Sequence, residues 1–274
     1  MPPLSDIRYS RRAAVSAVRD YYAFLTKMYL KESSIIHPPR GGWPSITSNS
    51  LRPLGKSQKV VSLLRHLPYI GEPDNQNDKA EGAPGCYFAD WQYHASALPQ
   101  EHMDGEHLKM ITEGIDIMDN VPPQVIGLTN GGGKENVYLL DTALGIVHWV
   151  DCPGEVKHDP SREPVDDDPY DYVEDEGEAE WRGDAEPWAI ADFFELLKDQ
   201  YRQLRFVPIS SHTVFDVDTR FPENCDGMIE MIQRIYREHG WPDLELYRKD
   251  ECLAAIQAAM KERYPSRAEW REDE

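Results

Sequence analysis

The chain has 274 residues, a formal net charge of −20 and an apolar share of 40%. Its length suits one large domain or two small ones, and its acidity excludes an overall basic footprint for nucleic acid. Because no apolar run approaches the ~20 residues of a membrane span and the first residues lack a signal-peptide pattern, we expect no membrane partner and a location in the cytoplasm or nucleus.

Two amphipathic helices are predicted in the N-terminal third of the chain. Ser10 to Leu30 repeats apolar residues at spacings of three and four, with Ser10 as its N-cap. Ser57 to Leu67 is the second helix, capped by Ser57 and ended by Pro68. Trp43 lies between the two helices in a loop rich in Gly and Pro. It can plug the edge of the core or act in a recognition loop.

A β-meander is predicted in the middle of the chain. Its strands are Val125 to Leu128, Val137 to Leu140 and Ile146 to Val150. The turns between them contain Asn-Gly and Gly-rich breaks, which are typical of hairpins. The run from Gly131 to Lys134 lacks the spacing of a phosphate loop and leads into a strand, which favours a hairpin there. Before the meander, Cys86 to Phe88 can form a short strand, and Gly105 to Ile117 is expected to be partly helical.

A highly acidic segment follows the meander. From Asp159 to Glu186 there are thirteen acidic residues against two arginines, a net charge of −11 in 28 residues. Like-charge repulsion and few aliphatic residues predict an extended, flexible loop that is dispensable for folding. We expect this loop to meet a basic partner through the residues Asp166, Asp167, Asp168, Asp171, Glu174, Asp175 and Glu176. Weak divalent binding by a solvated charge run is the only metal chemistry that this segment indicates.

The last third of the chain is predicted to be mainly helical. Pro187 is expected to open a helix that extends to Leu204, because proline is favoured at the first helical position. Val214 to Val217 can form a short strand. Pro222 to His239 and Asp250 to Tyr264 are further helices. Residues 222–264 could therefore pack as a helical subdomain.

These elements predict an α+β fold, in which an antiparallel sheet of about four to six strands is covered by helices. We expect one domain over residues 1–274, with the acidic loop at 159–186 inside it.

The sequence shows no specific catalytic or metal-binding motif. The cysteines are far apart and form no CxxC pair, which favours a reducing compartment and gives no zinc spacing. Cys152 lies near His148, but residues four apart in a regular strand are about 13 Å apart, so we expect a structural thiol. No catalytic residue, metal or cofactor is therefore assigned.

The chain resembles the SUKH superfamily, which includes fungal regulators of cell-wall synthesis and bacterial immunity proteins that neutralise toxins. Gly145-Ile146-Val147 is similar to a strand element of that family. Ala191-Asp192-Phe193-Phe194-Glu195-Leu196-Leu197 is similar to the helix that follows it. The similarity covers roughly Pro122 to Leu204. It implies an α+β scaffold that binds other proteins and has no catalytic residues, and we expect a eukaryotic, fungal source.

Two functions from different classes are consistent with these observations. The first is a non-enzymatic protein-interaction module with a regulatory role and an unidentified, basic protein partner. The second is a hydrolase or transferase whose cleft forms only in the fold. We expect the candidate surface or cleft to contain Trp43, Trp91, His94 and Trp149. A deep pocket with converging polar groups would favour the enzyme, whereas a broad exposed surface would favour the module.

Overall fold

The computed structural model of the chain describes residues 1–71, 79–100, 104–131, 136–158, 160–218 and 225–265. The fold is α+β, as predicted. The helices are α1 (Arg11–Met28), α2 (Gln58–Leu64), α3 (Trp91–Ala97), α4 (Gly105–Glu113), α5 (Gly154–His158), α6 (Glu176–Asp184), α7 (Ile190–Arg202), α8 (Met228–Glu238) and α9 (Lys249–Arg263). The strands are β1 (Ile35–Ile36), β2 (Tyr69–Ile70), β3 (Val125–Gly127), β4 (Val137–Asp141), β5 (Ile146–Val150), β6 (Glu186–Ala189), β7 (Phe206–Pro208) and β8 (Val214–Asp216).

The centre of the fold is a four-stranded antiparallel sheet in the order β3-β4-β5-β6. The predicted meander supplies its first three strands. Leu139 pairs with His148, and the hairpin turns at Gly145 with a φ of 84°. A Cβ at Gly145 would lie 2.7 Å from the backbone nitrogen of Tyr9, so both the turn and the close approach require glycine. The pairs β1-β2 and β7-β8 form two separate two-stranded sheets.

One face of the central sheet packs against α1 and α7. Tyr138 and Trp149 point to this side and meet Phe193 of α7 at ring-centroid distances of 4.9 and 6.3 Å. Tyr21 of α1 in turn contacts Phe194 at 5.4 Å. The main core of the molecule therefore lies between the sheet and these two helices.

The opposite face of the sheet is covered by α6. Side chains alternate along a strand, so Val137, Leu139 and Val125 point away from the main core. They form a second apolar cluster with Val121 and with Trp181 of α6. Both faces of the sheet are buried, which explains why β4 reads as a continuous apolar run.

The fourth strand corrects one prediction. Pro187 does not open a helix but lies within β6, and α7 begins at Ile190. In β6, Pro187 pairs opposite His148, while its carbonyl faces outward and accepts a hydrogen bond from Val165 N at 2.8 Å. A proline fits an edge strand at a position where its missing N–H would point away from the neighbouring strand.

The acidic segment also differs from the prediction of an extended, flexible loop. The described part, residues 160–186, contains a 3-10 turn at Pro169–Asp171, the helix α6 and the start of β6. Backbone bonds further join Asp166 to Pro2 and Leu4 at the N-terminus. The prediction considered charge repulsion along the run but not the apolar sheet face that Trp181 covers. Asp159 lies outside the described residues.

The N-terminal predictions are confirmed with small changes of boundary. Ser10 Oγ accepts from Ala13 N and Ser57 Oγ from Val60 N, both at 3.4 Å, as N-caps do. The predicted strand at Cys86–Phe88 is not formed, because its residues make only isolated bridges, Cys86 to Ala83 and Phe88 to Thr129. The run Gly132 to Lys134 lies outside the described residues.

The C-terminal helices α8 and α9 agree with the predicted helices, although Pro222 lies outside the described residues. Their apolar residues Ile232, Tyr236 and Ile256 belong to the same cluster as α1 and α7. Lys249 Nζ donates to the carbonyl of Thr26 in the last turn of α1, at 2.8 Å, and to that of Leu30 just beyond the helix, at 2.7 Å. In the described part of the chain, the segment 225–264 therefore packs into the main core and has no hydrophobic core of its own.

Candidate functional site

A buried charged cluster fixes α6 to the sheet. The guanidinium of Arg182 donates from Nη2 to Asp141 Oδ2 at 2.8 Å, from Nη1 to His148 Nε2 at 3.0 Å and from Nε to Glu178 Oε1 at 2.8 Å. It also lies 4.8 Å from the ring centroid of Trp181. Arg182 and Asp141 are both almost fully buried. Pairing and hydrogen bonding are what make such buried charges tolerable.

The environment of His148 keeps its imidazole neutral. Burial, and then the positive charge of Arg182, lower the pKa of His148 well below its usual value. Arginine can only donate, so Nε2 of His148 is the acceptor and the ring proton sits on Nδ1. A neutral, fully buried histidine that is held by an arginine supports the structure and is not placed to receive a proton from a ligand.

The outer side of this anchored segment is an acidic face. We use this term for the exposed acidic residues of 163–184, which are Glu163, Asp166, Asp168, Asp171, Glu174, Asp175, Glu176, Glu180 and Asp184. Arg182 is the only Lys or Arg in this range of the sequence, and it is buried. The surface therefore concentrates negative charge without an interspersed Lys or Arg side chain, while the N-terminal ammonium of Met1 lies 3.3 Å from Glu163 Oε2.

The predicted partner residues lie on this face with one exception. Asp167 is half-buried, and burial raises the pKa of its carboxyl, which accepts from Tyr172 Oη at 3.1 Å. Asp168 and Asp175 are exposed but also cap local turns, since they accept from Tyr170 N at 3.1 Å and from Glu178 N at 2.8 Å. The acidic residues thus both order the segment and charge its surface.

Two tyrosines stand among these carboxylates. Tyr170 is 65% exposed and Tyr172 is 43% exposed. Tyrosine is enriched in protein interfaces because it combines a large apolar ring with a hydroxyl. An acidic surface with exposed aromatic rings is suited to basic, amphipathic side chains of another protein.

An open groove adjoins the acidic face where the β4-β5 hairpin ends. We call it the hairpin-end groove. It has a volume of about 690 Å³. Its lining comes from the C-terminal end of α6, the two strand ends, the loop after α4 and two residues of an earlier loop. The lining residues are Pro84, Gly85, Gly114, Ile115, Asp116, Ile117, Asn136, Val137, Val150, Asp151, Cys152, Trp181 and Asp184.

The predicted cleft of Trp43, Trp91, His94 and Trp149 needs correction. Trp91, His94 and Trp149 are each about 1% exposed, so they cannot present a surface to a ligand. Trp91 donates from Nε1 to Gly127 O at 3.1 Å, and Trp149 donates to Asn136 Oδ1 at 3.0 Å. Trp43 is half-buried against Tyr69. Aromatic burial decides these positions, since the core between sheet and helices takes up the large rings.

The titratable groups that the sequence offered for chemistry are also poorly suited to it. Burial, and then the charge of Lys79, lower the pKa of His94 to about 4. Burial, with a smaller effect of Glu186, raises the pKa of the Cys152 thiol to about 12. A nucleophilic cysteine needs a lowered pKa, so the environment of Cys152 favours a structural thiol.

Several residues of this region escaped the sequence reasoning. Arg182 had a usable signal, because a lone arginine next to Trp181 and four residues after Glu178 indicates a helix with one buried side. Asp151 and Ile115 had none, since their position in the groove depends on the packing of distant segments. In the described part of the chain, no group of three or more His, Cys, Asp or Glu is placed to hold a metal ion.

The arrangement provides charge and apolar contact. Among the helices of the described residues, none is long and apolar enough to cross a membrane.

No protein-family model matches the chain, and no curated protein or solved structure matches it significantly.

Proposed function

We propose that the chain is a non-enzymatic, regulatory protein-interaction module whose acidic face binds a basic partner protein. The observation that carries this proposal is the acidic face itself, displayed with two exposed tyrosines on a segment whose helix, α6, is anchored to the sheet. A rigid charged surface needs little ordering when it binds, so less binding free energy is lost than for a flexible acidic tail.

Electrostatics supports a basic partner. The chain carries a net charge of −20, and the acidic face concentrates part of it. Such a surface raises the association rate of a cationic partner and repels acidic proteins. The exposed rings of Tyr170 and Tyr172 add apolar contact and can stack with Arg or Lys side chains.

The proposal keeps the resemblance to the SUKH superfamily, whose members bind other proteins. The segments on which it rests lie together, with Gly145 to Val147 at the start of β5 and Ala191 to Leu197 in α7. The alternative of a hydrolase or transferase has less support, because Trp91, His94 and Trp149 are each about 1% exposed and offer no surface to a substrate.

The test is capture of partners from source-cell extract by the immobilised chain at about 50 mM and about 300 mM NaCl, which changes the Debye length by more than twofold. The variant carries four substitutions on the acidic face, Asp171→Asn, Glu174→Gln, Glu176→Gln and Glu180→Gln. The matched control makes the same change of net charge at exposed positions of the C-terminal region, with Glu230→Gln, Glu238→Gln, Glu245→Gln and Glu262→Gln.

We expect the chain and the control to retain the same basic proteins at low salt, and the acidic-face variant to lose them. Retention should also weaken at the higher salt concentration, because exposed charges are screened. A chain that captures no protein at low salt, or a variant that captures the same set as the control, would contradict the proposal.

A further inference from the structure

We propose that the hairpin-end groove receives a short partner segment in which an aliphatic side chain is flanked by Lys or Arg. This inference rests on the proposed function and specifies what the partner presents.

Part of the lining of the groove, which we call its floor, is apolar, and the Asn136 amide beside it is already hydrogen-bonded. Val137, Val150 and Trp181 line it. Asn136 accepts from Trp149 Nε1 at 3.0 Å, and its amide donates to Pro84 O at 3.3 Å. A ligand therefore finds apolar surface at Val137, Val150 and Trp181, and this part of the groove favours an aliphatic side chain over a polar one.

The rim adds an exposed aliphatic residue. Ile115 lies in the loop after α4 and is 54% exposed, so its side chain would be removed from water by a bound segment. Scattered exposed hydrophobic residues are ordinary on protein surfaces. Ile115 differs because it borders a groove that already has an apolar floor.

Carboxylates surround this apolar surface. Asp116, Asp151 and Asp184 line the groove and are exposed, and within the described residues none of them forms an ion pair. Asp184 is the last residue of α6. The carboxyl end of a helix carries partial negative charge, so a carboxylate there is unfavourable and an incoming cation relieves the repulsion.

Asp151 directly follows β5 in an uncommon backbone conformation. Its φ of 55° places it in the left-handed region that non-glycine residues seldom adopt, although Asp does so more readily than most. The conformation follows directly after β5 and sets the carboxylate at the rim of the groove.

Charge complementarity selects the occupant. No Lys or Arg is among the described residues that line the groove, so positive groups of a ligand meet the carboxylates of Asp116, Asp151 and Asp184. A second copy of this chain, with a net charge of −20, is disfavoured by repulsion. The volume of about 690 Å³ lies in the range of ~300–1,000 Å³ that is usual for ligand pockets, so a short segment fits rather than a folded domain.

The test measures fluorescence anisotropy with a labelled peptide, Gly-Ser-Lys-Arg-Leu-Lys-Arg-Ser-Gly, and a second peptide in which Ser replaces Leu. The substitutions are Ile115→Ser and Asp184→Asn. Each has a matched control: Leu246→Ser changes another exposed aliphatic residue, 65% exposed, in another region, and Glu180→Gln removes one charge four residues earlier on α6.

We expect the Leu peptide to bind about tenfold more tightly than the Ser peptide, as burial of one aliphatic side chain permits. Ile115→Ser should remove that preference. Asp184→Asn should weaken binding of both peptides by about threefold or more beyond Glu180→Gln. The reason is that a peptide in the groove lies closer to the carboxylate of Asp184 than to that of Glu180. The two control variants should keep the preference for the Leu peptide.

Two results would overturn the inference. Equal binding of both peptides, insensitive to Ile115→Ser, would mean that the acidic face attracts any cation, which leaves the proposed function in place. Absence of binding by both peptides at low salt would also exclude the groove as the site of such a segment. The proposed function is judged separately by its own capture experiment with the acidic-face variant.

Discussion

At the scale of single residues, the buried histidine His94 connects packing to pH. It is about 1% exposed, packs edge-on against Trp91 at a ring-centroid distance of 5.6 Å, and has a pKa lowered to about 4 by burial and by Lys79. The unfolded chain protonates this histidine near the ordinary value of about 6.5, whereas the folded chain does not. The contribution of neutral His94 to the unfolding free energy is therefore fully present above about pH 6.5, and it is lost as the pH falls from about 6.5 toward 4.

The first prediction follows from this linkage. For His94, lowering the pH from about 7 to about 5 should cost about 2 kcal/mol of unfolding free energy. His94→Gln should lose correspondingly less stability over the same interval, as measured by urea unfolding at the two pH values. His37→Gln, at an exposed position, is the control and should behave like the unmodified chain. Equal losses of unfolding free energy in His94→Gln and in the unmodified chain would show that His94 has the same pKa in the folded and the unfolded chain.

The second prediction concerns the buried arginine. Arg182→Met leaves the carboxylate of Asp141 buried without its cation, so we expect the unfolding free energy to fall by about 3–5 kcal/mol. Arg202→Met is the control: its ion pair with Asp199 at 2.6 Å is more exposed, so the cost should stay below about 1 kcal/mol. Denaturant unfolding of both variants measures the difference. Similar costs for the two variants would mean that the Arg182 cluster contributes little.

At the scale of elements, α6 is the helix whose role the structure changed most. It lies in the most acidic part of the chain and yet covers the second face of the sheet with Trp181, whose Nε1 donates to Asn120 O at 3.1 Å. Replacement of residues 160–186 by a flexible linker would expose that face to water. The segment is therefore expected to be required for stability, in contrast to the dispensable loop that the sequence predicted.

The third prediction tests this role of α6. Trp181→Ala should lower the unfolding free energy by about 3–5 kcal/mol, because a large buried ring is removed from a packed cluster. Tyr170→Ala, on the same segment but exposed, should change it by no more than about 0.5 kcal/mol. Hydrogen exchange should show protected amides in Glu176–Asp184 of the unmodified chain and faster exchange there in Trp181→Ala. Rapid exchange across this helix in the unmodified chain would restore the flexible-loop interpretation.

At the scale of the whole molecule, the C-terminal helices and the sheet share one main core. Trp241 donates from Nε1 to Tyr201 O at 3.0 Å, Tyr247 donates from its hydroxyl to Met28 O at 2.8 Å, and Ile256 is fully buried. These contacts join the two ends of the chain. We therefore expect the C-terminal helices and the sheet to unfold together, as one cooperative unit.

The fourth prediction separates one domain from a helical subdomain. Ile256→Ala in α9 should lower the unfolding free energy by about 2–5 kcal/mol, as removal of a large aliphatic side chain from a core does. Far-ultraviolet circular dichroism and tryptophan fluorescence should follow the same single transition in this variant and in the unmodified chain. Ala255→Gly, at a half-buried position of the same helix, controls for helix propensity at about 1 kcal/mol. Two separate transitions would indicate an independent subdomain.

The sequence by itself determined the elements whose signals are local. The caps Ser10 and Ser57, the meander turn at Gly145 and the helix α9 were predicted because capping bonds, positive φ and apolar periodicity act over a few residues. The α+β class followed from these elements. The acidic composition likewise determined the sign of the surface charge.

Only the tertiary structure decided the features that depend on distant partners. Pro187 became a strand residue because His148 and Val165 flank it, and α6 became a buried helix because Val125 and Leu139 offered an apolar face. Contacts between segments far apart in the chain outweigh local propensity, which amounts to a few tenths of a kcal/mol to about 1 kcal/mol per residue. The same long-range packing buried Trp149 and assembled the hairpin-end groove from segments that share no sequence motif.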